Sequence, residues 1–263
     1  LGVYIIAEAG ASHKGNVKTA RELILAAKIA GADCVKFQAW NTEKFVAKTS
    51  PFYESFKNNE FQSLDWVYLK YQCDQMGIDF LASAFNVEMI DFLDEIGMKA
   101  FKVASGDLTY EPLLRHIGSK GKPIYLSTGM GTIEEISNAI NWLGRIRLTL
   151  LKCTVDYPAD EENVNLAGIR TLGSYFPGHR IGLSDHTKGH LAACMAVAMG
   201  AGVIEKHFAL EETGEAIGSA DFNEFVKKVR TAESIMGSEI LGTFDCEEKW
   251  KLGARRGKSG LRE

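Results

Sequence analysis

The sequence predicts a closed, eight-stranded parallel α/β barrel of the TIM type, and three observations carry that expectation. Short apolar runs alternate with segments of helical length eight times along 263 residues. Glycines stop several of the helical segments, at Gly31, Gly77, Gly97 and Gly200. Each apolar run breaks into a polar group where a buried parallel strand would end. A doubly wound open sheet is the competing topology. Its first turn usually carries a GxGxxG fingerprint, and GASHKGN does not match it.

Taken in order, residues 2–8 are a β-branched run ending at Glu8, and a loop leads to a helix over 17–30 with apolar residues at helical spacing. A strand follows at 34–38, then a long polar and aromatic loop at 41–57 and a helix at 61–76. Strands at 79–83, 100–104, 123–127 and 149–153 alternate with helices at 87–96, 111–119, 132–144 and 165–175. Thr132 with Glu135 three residues on reads as a capping box. The last two strands start at Ile181 and Val203, with an Ala- and Met-rich helix at 190–199 between them. The final helix is expected over 221–236 with Asp221 as its N-cap. No composition shift divides residues 1–242, which read as one barrel domain. Residues 243–263 lack an apolar pattern, end in ARRGKSGLRE and read as a linker toward a domain not in this chain.

Composition narrows the function. Hydrophobic content of 46% and charged content of 24% are ordinary for a globular protein, and the net charge of −4 offers no general attraction to nucleic acid or anionic membrane. No apolar run has the length of a membrane span, and the N-terminus lacks the basic flank of a secretory signal. Five cysteines without a CxxC read as reduced thiols of a cytoplasmic protein, with Cys34 and Cys153 as small core residues.

A barrel places its chemistry at the C-terminal strand ends. Those ends carry Glu8, Lys36 with Gln38, Ser83, Lys102 with Ser105, Ser127-Thr128, Thr154, Ser184 with His186, and Glu205 with His207. Period-two alternation puts Lys36 with Gln38, and Glu205 with His207, on single strand faces. His186 and His207 would meet at the same end of adjacent strands, where two imidazoles are candidate ligands for a divalent metal. Lys36 and Lys102 inside a barrel rim require an anion, so a phosphate or carboxylate ligand is expected there. Glu8 and Glu205 are candidate catalytic carboxylates, although Glu8 is equally suited to a structural ion pair with either lysine. Ser83, Ser127 and Thr128 are individually better suited to capping the next helices. Lys206 lies on the opposite strand face from His207 and is left out of the site.

The segments AEAGASHKG, VKFQ, FKVASGD, LSTGM, CTVDYP, GLSDHT and IEKHF resemble, in that order, the motifs of the sialic acid synthases and of the related spore-coat polysaccharide synthases. The resemblance runs from Val3 to about Phe208. It implies a TIM barrel that condenses phosphoenolpyruvate with the open aldehyde form of an N-acylated amino sugar, yielding a nine-carbon 2-keto acid and phosphate. It implies a Mn2+ or Mg2+ ion on His186 and His207. Lys36, Ser83, Lys102, Ser105 and Ser184 match phosphoenolpyruvate-binding positions, and Glu8 matches the acid/base. Gln38, Asp107 and Tyr157 match the sugar side. Family members commonly add a C-terminal domain that reaches into a partner's site, so a homodimer is expected.

The sequence departs from the pattern at three places. Gly214-Glu215-Ala216-Ile217 stands where a Gly-Pro-Asp-His-like run usually carries an acidic sugar contact, so that contact is absent or supplied by Glu215. Val155 and Ser12 stand where asparagines are frequent. Three other readings remain open. A synthase using a shorter sugar phosphate would need a second phosphate site. A Schiff-base aldolase on Lys36 or Lys102 would need neither histidine nor metal. A non-catalytic barrel that only binds a sugar acid would tolerate the altered loop.

Overall fold

Eight parallel strands close on themselves in the computed structural model, which describes residues 2–238 and 240–256. They are β1 (Tyr4–Gly10), β2 (Cys34–Ala39), β3 (Asp79–Ala84), β4 (Phe101–Val103), β5 (Ile124–Ser127), β6 (Leu148–Cys153), β7 (Arg180–Asp185) and β8 (Val203–Ala209). Each pairs in parallel with the next, and β1 pairs with β8 to shut the barrel. Outside lie α1 (Val17–Ala30), α4 (Ser63–Met76), α5 (Val87–Glu95), α6 (Glu111–Ser119), α7 (Ile133–Leu143), α8 (Gly168–Tyr175), α9 (Leu191–Ala198) and α10 (Ser219–Met236). The alternation of short apolar runs with amphipathic segments thus produces the predicted TIM barrel.

Local chemistry sets the boundaries. Asn16 accepts from the backbone N–H groups of Lys18 and Thr19 to start α1, and Gly31, at φ 85°, ends it in the left-handed conformation. Thr132 and Glu135 form the expected capping box of α7. The register of β1 slips between Glu8 and Gly10, whose φ of 53° lets the strand turn off the rim just beyond Glu8.

Three expectations change. The loop at 41–57 contains two short helices, α2 (Thr42–Phe45) and α3 (Tyr53–Asn59), because Phe56 packs edge-on against both Trp40 and Phe45. Asp221 is not an N-cap. Residues Ile217–Gly218 pair with Phe208–Ala209 as an added strand, β9, which delivers the chain into α10 two residues earlier, with Gly218 as the cap. Asp221 instead bonds His190 at 3.0 Å. The tail contains two short helices, α11 (Asp245–Glu248) and α12 (Lys251–Ala254), while its basic end from 257 onward lies outside the described residues.

The loop from β1 to α1 buries His13 almost completely, stacked on Phe61 with ring centroids 4.0 Å apart. Its Nδ1 accepts from Gly15 N–H at 3.0 Å, and its Nε2 has no partner. Burial pushes its pKa down to about 4. The unfolded chain therefore takes up a proton near pH 6.5 that the folded chain refuses. Stability contributed by the neutral ring is present above that pH and is lost as pH falls toward 4. Urea unfolding at pH 7 and pH 5 should show the wild type losing about 2 kcal/mol more than His13→Phe. Equal losses would mean that His13 titrates normally in the fold.

Candidate active site

Period-two alternation and the barrel register together bring the polar strand ends to one place. Glu8 stands opposite Lys36 on one side and His207 on the other. Ser83 stands opposite Lys102, and Ser184 opposite Glu205. All line one cavity at the C-terminal mouth, joined by Gln38, Ser105, Ser127, Cys153, Tyr157 and His186.

Four charges inside this cavity are nearly inaccessible: Glu8, Lys36, Lys102 and Glu205 are 1–4% exposed. Burial at that level demands pairing. Glu8 forms an ion pair with Lys36. Glu205 lies 3.9 Å from Lys36 and 3.8 Å from Lys102. Serines complete the lysine shells: Lys36 donates to Ser83 Oγ at 3.3 Å, and Lys102 to Ser127 Oγ at 2.8 Å. Ser184 donates to Glu205 at 2.9 Å. Ser83 and Ser127 are thus lysine partners rather than helix caps. Beyond the Lys36 ion pair Glu8 has no further hydrogen-bond partner, and Oε2 of Glu205 has none.

The two carboxyls are driven apart. Burial raises the Glu8 pKa, the nearby Lys36 only partly offsets this, and the Glu205 charge raises it further. At Glu205 burial acts in the same direction, but Lys102, Lys36 and the Ser184 hydroxyl reverse it and hold the carboxyl down at about 2. Lys36 stays firmly protonated because Glu205 and Glu8 outweigh its desolvation. Burial lowers Lys102, and Glu205 does not fully compensate. One glutamate is thereby suited to carry a proton and the other to remain an anion.

The histidines meet as the strand ends require, with ring centroids 5.1 Å apart. His186 Nδ1 donates to the Thr154 carbonyl at 2.6 Å, which leaves Nε2 to face the cavity, 3.4 Å from Ser184 Oγ. Burial disfavours a charge on His186, but Cys153 and the Thr154 carbonyl outweigh it and raise the pKa, so a metal competes there with a proton. Burial and the neighbouring His186 and Lys36 push His207 down to about 3, so it is a neutral imidazole. Two adjacent imidazoles, one fixed through its second nitrogen, suit a divalent metal. Among the described residues no three His, Cys, Asp or Glu side chains form a metal cage, so further ligands would be substrate or water oxygens.

Tyr157 covers both rings, 4.3 Å from His186 and 5.6 Å from His207. A second, more open cavity adjoins the first through Gln38 and His207 and includes Ser12 and Glu215. Asp107 lines neither; it lies half-buried in a short turn over Ser105–Asp107, and burial raises its pKa to about 6. Ser127 was legible as a strand end but not as a lysine partner, because that contact depends on the β4–β5 register.

The model of the NeuB family matches residues 23–241. This chain belongs to the NeuB family. An uncharacterized protein of Methanocaldococcus jannaschii is 42% identical over 96% of this chain and 77% of its own length. The N,N'-diacetyllegionaminic acid synthase of Legionella pneumophila is 38% identical over 96% of this chain and 78% of its own length. Among solved structures, the N-acetylneuraminic acid synthetase of Leptospira borgpetersenii in complex with citrate superposes with a TM-score of 0.90 at 31% identity, covering 98% of this chain and 94% of that one.

The pairing pattern makes an asymmetric prediction for this NeuB-family barrel. Glu205→Gln leaves two buried lysines with one reluctant counter-ion and should destabilise the fold by about 3–5 kcal/mol in urea unfolding at pH 7. Glu8→Gln replaces a carboxyl already driven toward its neutral form and should cost clearly less. The reverse ranking would reject the assignment of the charge to Glu205.

Proposed function

We propose that this chain condenses phosphoenolpyruvate with the open-chain aldehyde of a six-carbon N-acylated amino sugar. The products are a nine-carbon 2-keto acid and inorganic phosphate. The observation that carries this reading is the single cavity in which two buried lysines with serine partners face two imidazoles across a pair of unlike glutamates. The named activities of the NeuB-family relatives support it.

Lys36 and Lys102, with Ser83, Ser105 and Ser127, bind the phosphate and carboxylate of phosphoenolpyruvate. Gly129 allows this close approach, since a Cβ there would stand 2.8 Å from Ser105 Oγ. Gln38 and Tyr157 orient the sugar so that its aldehyde carbon faces the enol carbon. A divalent cation, Mn2+ or Mg2+, held by His186 and His207 would supply polarisation of that aldehyde. As the new carbon–carbon bond forms, Glu8 delivers its proton to the aldehyde oxygen. The carboxylate of Glu8 then takes a proton from the water that adds to the cationic carbon. Glu205, ionised throughout, keeps both lysines charged and placed. Collapse of the tetrahedral intermediate breaks the C–O bond, and phosphate leaves between the lysines.

Substituting Lys36 with Met should weaken phosphoenolpyruvate binding by about 2–5 kcal/mol while acceptor affinity changes little. Isothermal calorimetry separates this from a purely structural role, which would lower the melting temperature and leave phosphoenolpyruvate affinity unchanged.

The aldolase reading keeps one supporting observation, the lowered pKa of Lys102. Borohydride trapping with pyruvate distinguishes it, since a Schiff base would leave a covalent adduct on that lysine.

The acceptor is proposed to carry substituents other than those of N-acetylmannosamine. In the second cavity Glu215 provides a carboxylate, on the 214–217 segment that lacks the usual acidic contact. A di-N-acetylated six-carbon amino sugar would give a product of the N,N'-diacetyl class named for the Legionella pneumophila relative. Phosphate release should be about 5- to 150-fold faster with such an acceptor than with N-acetylmannosamine, since one unpaired polar contact costs about 1–3 kcal/mol. Glu215→Ala should erode that preference. Equal turnover of both sugars, unaffected by Glu215→Ala, would remove the loop from sugar selection.

A further inference from the structure

The outer faces of β7 and β8 carry a second charged pair, one residue away from each histidine in sequence. Asp185 and Lys206 are 0–1% exposed and 2.9 Å apart. The Lys206 ammonium also donates to the Thr187 carbonyl, to Thr187 Oγ1 at 3.3 Å and to the Gly189 carbonyl at 3.0 Å. The Phe225 ring of α10 closes the outer side, 5.5 Å from the ammonium. Asp185 Oδ1 accepts from both the backbone N–H and the hydroxyl of Thr187, at 2.9 Å each.

These bonds bracket one residue. His186 lies between Asp185 and Thr187, and both neighbours are tied to Lys206. His186 also holds the β6–α8 loop through its own carbonyl, which accepts from Ala159 N–H at 2.9 Å. Lys206 is in turn the direct neighbour of His207, and alternation sends the two side chains to opposite faces. A single buried ammonium therefore fixes the backbone from which one imidazole projects while standing on the strand that carries the other.

We propose that Lys206 and Asp185 are positioning residues that set the distance between the His186 and His207 rings and so determine the affinity of the site for a divalent cation. An ordinary structural pair would need neither the two loop carbonyls nor the Thr187 hydroxyl. A buried lysine on a strand that is otherwise apolar on this face, with Ile204 and Phe208, is a costly choice unless the geometry it fixes is used. The proposal rests on the histidine–metal reading above, and its test separates the two.

The test is the dissociation constant for Mn2+ alone, read from the electron paramagnetic resonance signal of the free ion with the full chain. Lys206→Met should raise it by about 10- to 100-fold. Thr187→Val, a milder change that keeps the ion pair, should raise it a few-fold and serves if Lys206→Met does not fold. Leu114→Ala, a core truncation on α6, should lower the melting temperature and leave the constant unchanged. Unchanged Mn2+ affinity in both Lys206→Met and Thr187→Val, alongside lost binding in His186→Ala, would overturn the positioning role. Unchanged affinity in His186→Ala would instead overturn the metal reading, and the positioning proposal with it.

Discussion

Two glutamates and two lysines, almost wholly removed from water at one end of the barrel, are the constraint around which the mouth is built. Charges buried to this degree persist only as a compensated set. The compensation depends on closure. Lys36 and Lys102 come from β2 and β4, Glu205 from β8 and Glu8 from β1, so the set is complete only when β1 pairs with β8. The lysines are countered by the two carboxyl groups. An incoming anion must displace that arrangement, and a ligand bearing both phosphate and carboxylate has the charge to engage both lysines at once.

Much of this was legible in the sequence because a strand has a period of two. Lys36 with Gln38, and Glu205 with His207, declare a shared face through their spacing alone, and Lys206 declares the opposite one. The order of the eight apolar runs was enough for the barrel. Other features depend on partners distant in sequence. The bonding of Ser127 to Lys102, which replaces the expected helix cap, needs the β4–β5 register. The start of α10 at Ser219 needs β9 to pair with the end of β8, which no local propensity of Asp221 reveals. The short helices within 41–57 arise from aromatic contacts among Trp40, Phe45 and Phe56. Nothing in composition separated Asp107, beside the cavity, from Tyr157, which covers both imidazoles.

The same alternation divides labour between the two faces of β7 and β8. The inner face presents Ser184, His186, Glu205 and His207 to the cavity. The outer face presents Asp185 and Lys206 to each other and to loop carbonyls, with every contact satisfied internally. A saturated network resists movement, whereas on the inner face Oε2 of Glu205 has no hydrogen-bond partner.

The two cavities also rest on structurally distinct ground. The charged groups of the cavity sit on strands held by the barrel ladder, so a change there threatens the fold as well as the reaction. Glu215 is exposed, on a loop pinned at both ends. Thr213 Oγ1 accepts from Glu215 N–H at 3.3 Å and from Ala216 N–H at 3.0 Å, and Ile217–Gly218 pairs with the end of β8. A side chain carried this way can be replaced with little cost to the barrel, yet it faces the same open cavity as His207 and Gln38. The loop can therefore vary without disturbing the buried charged groups of the first cavity.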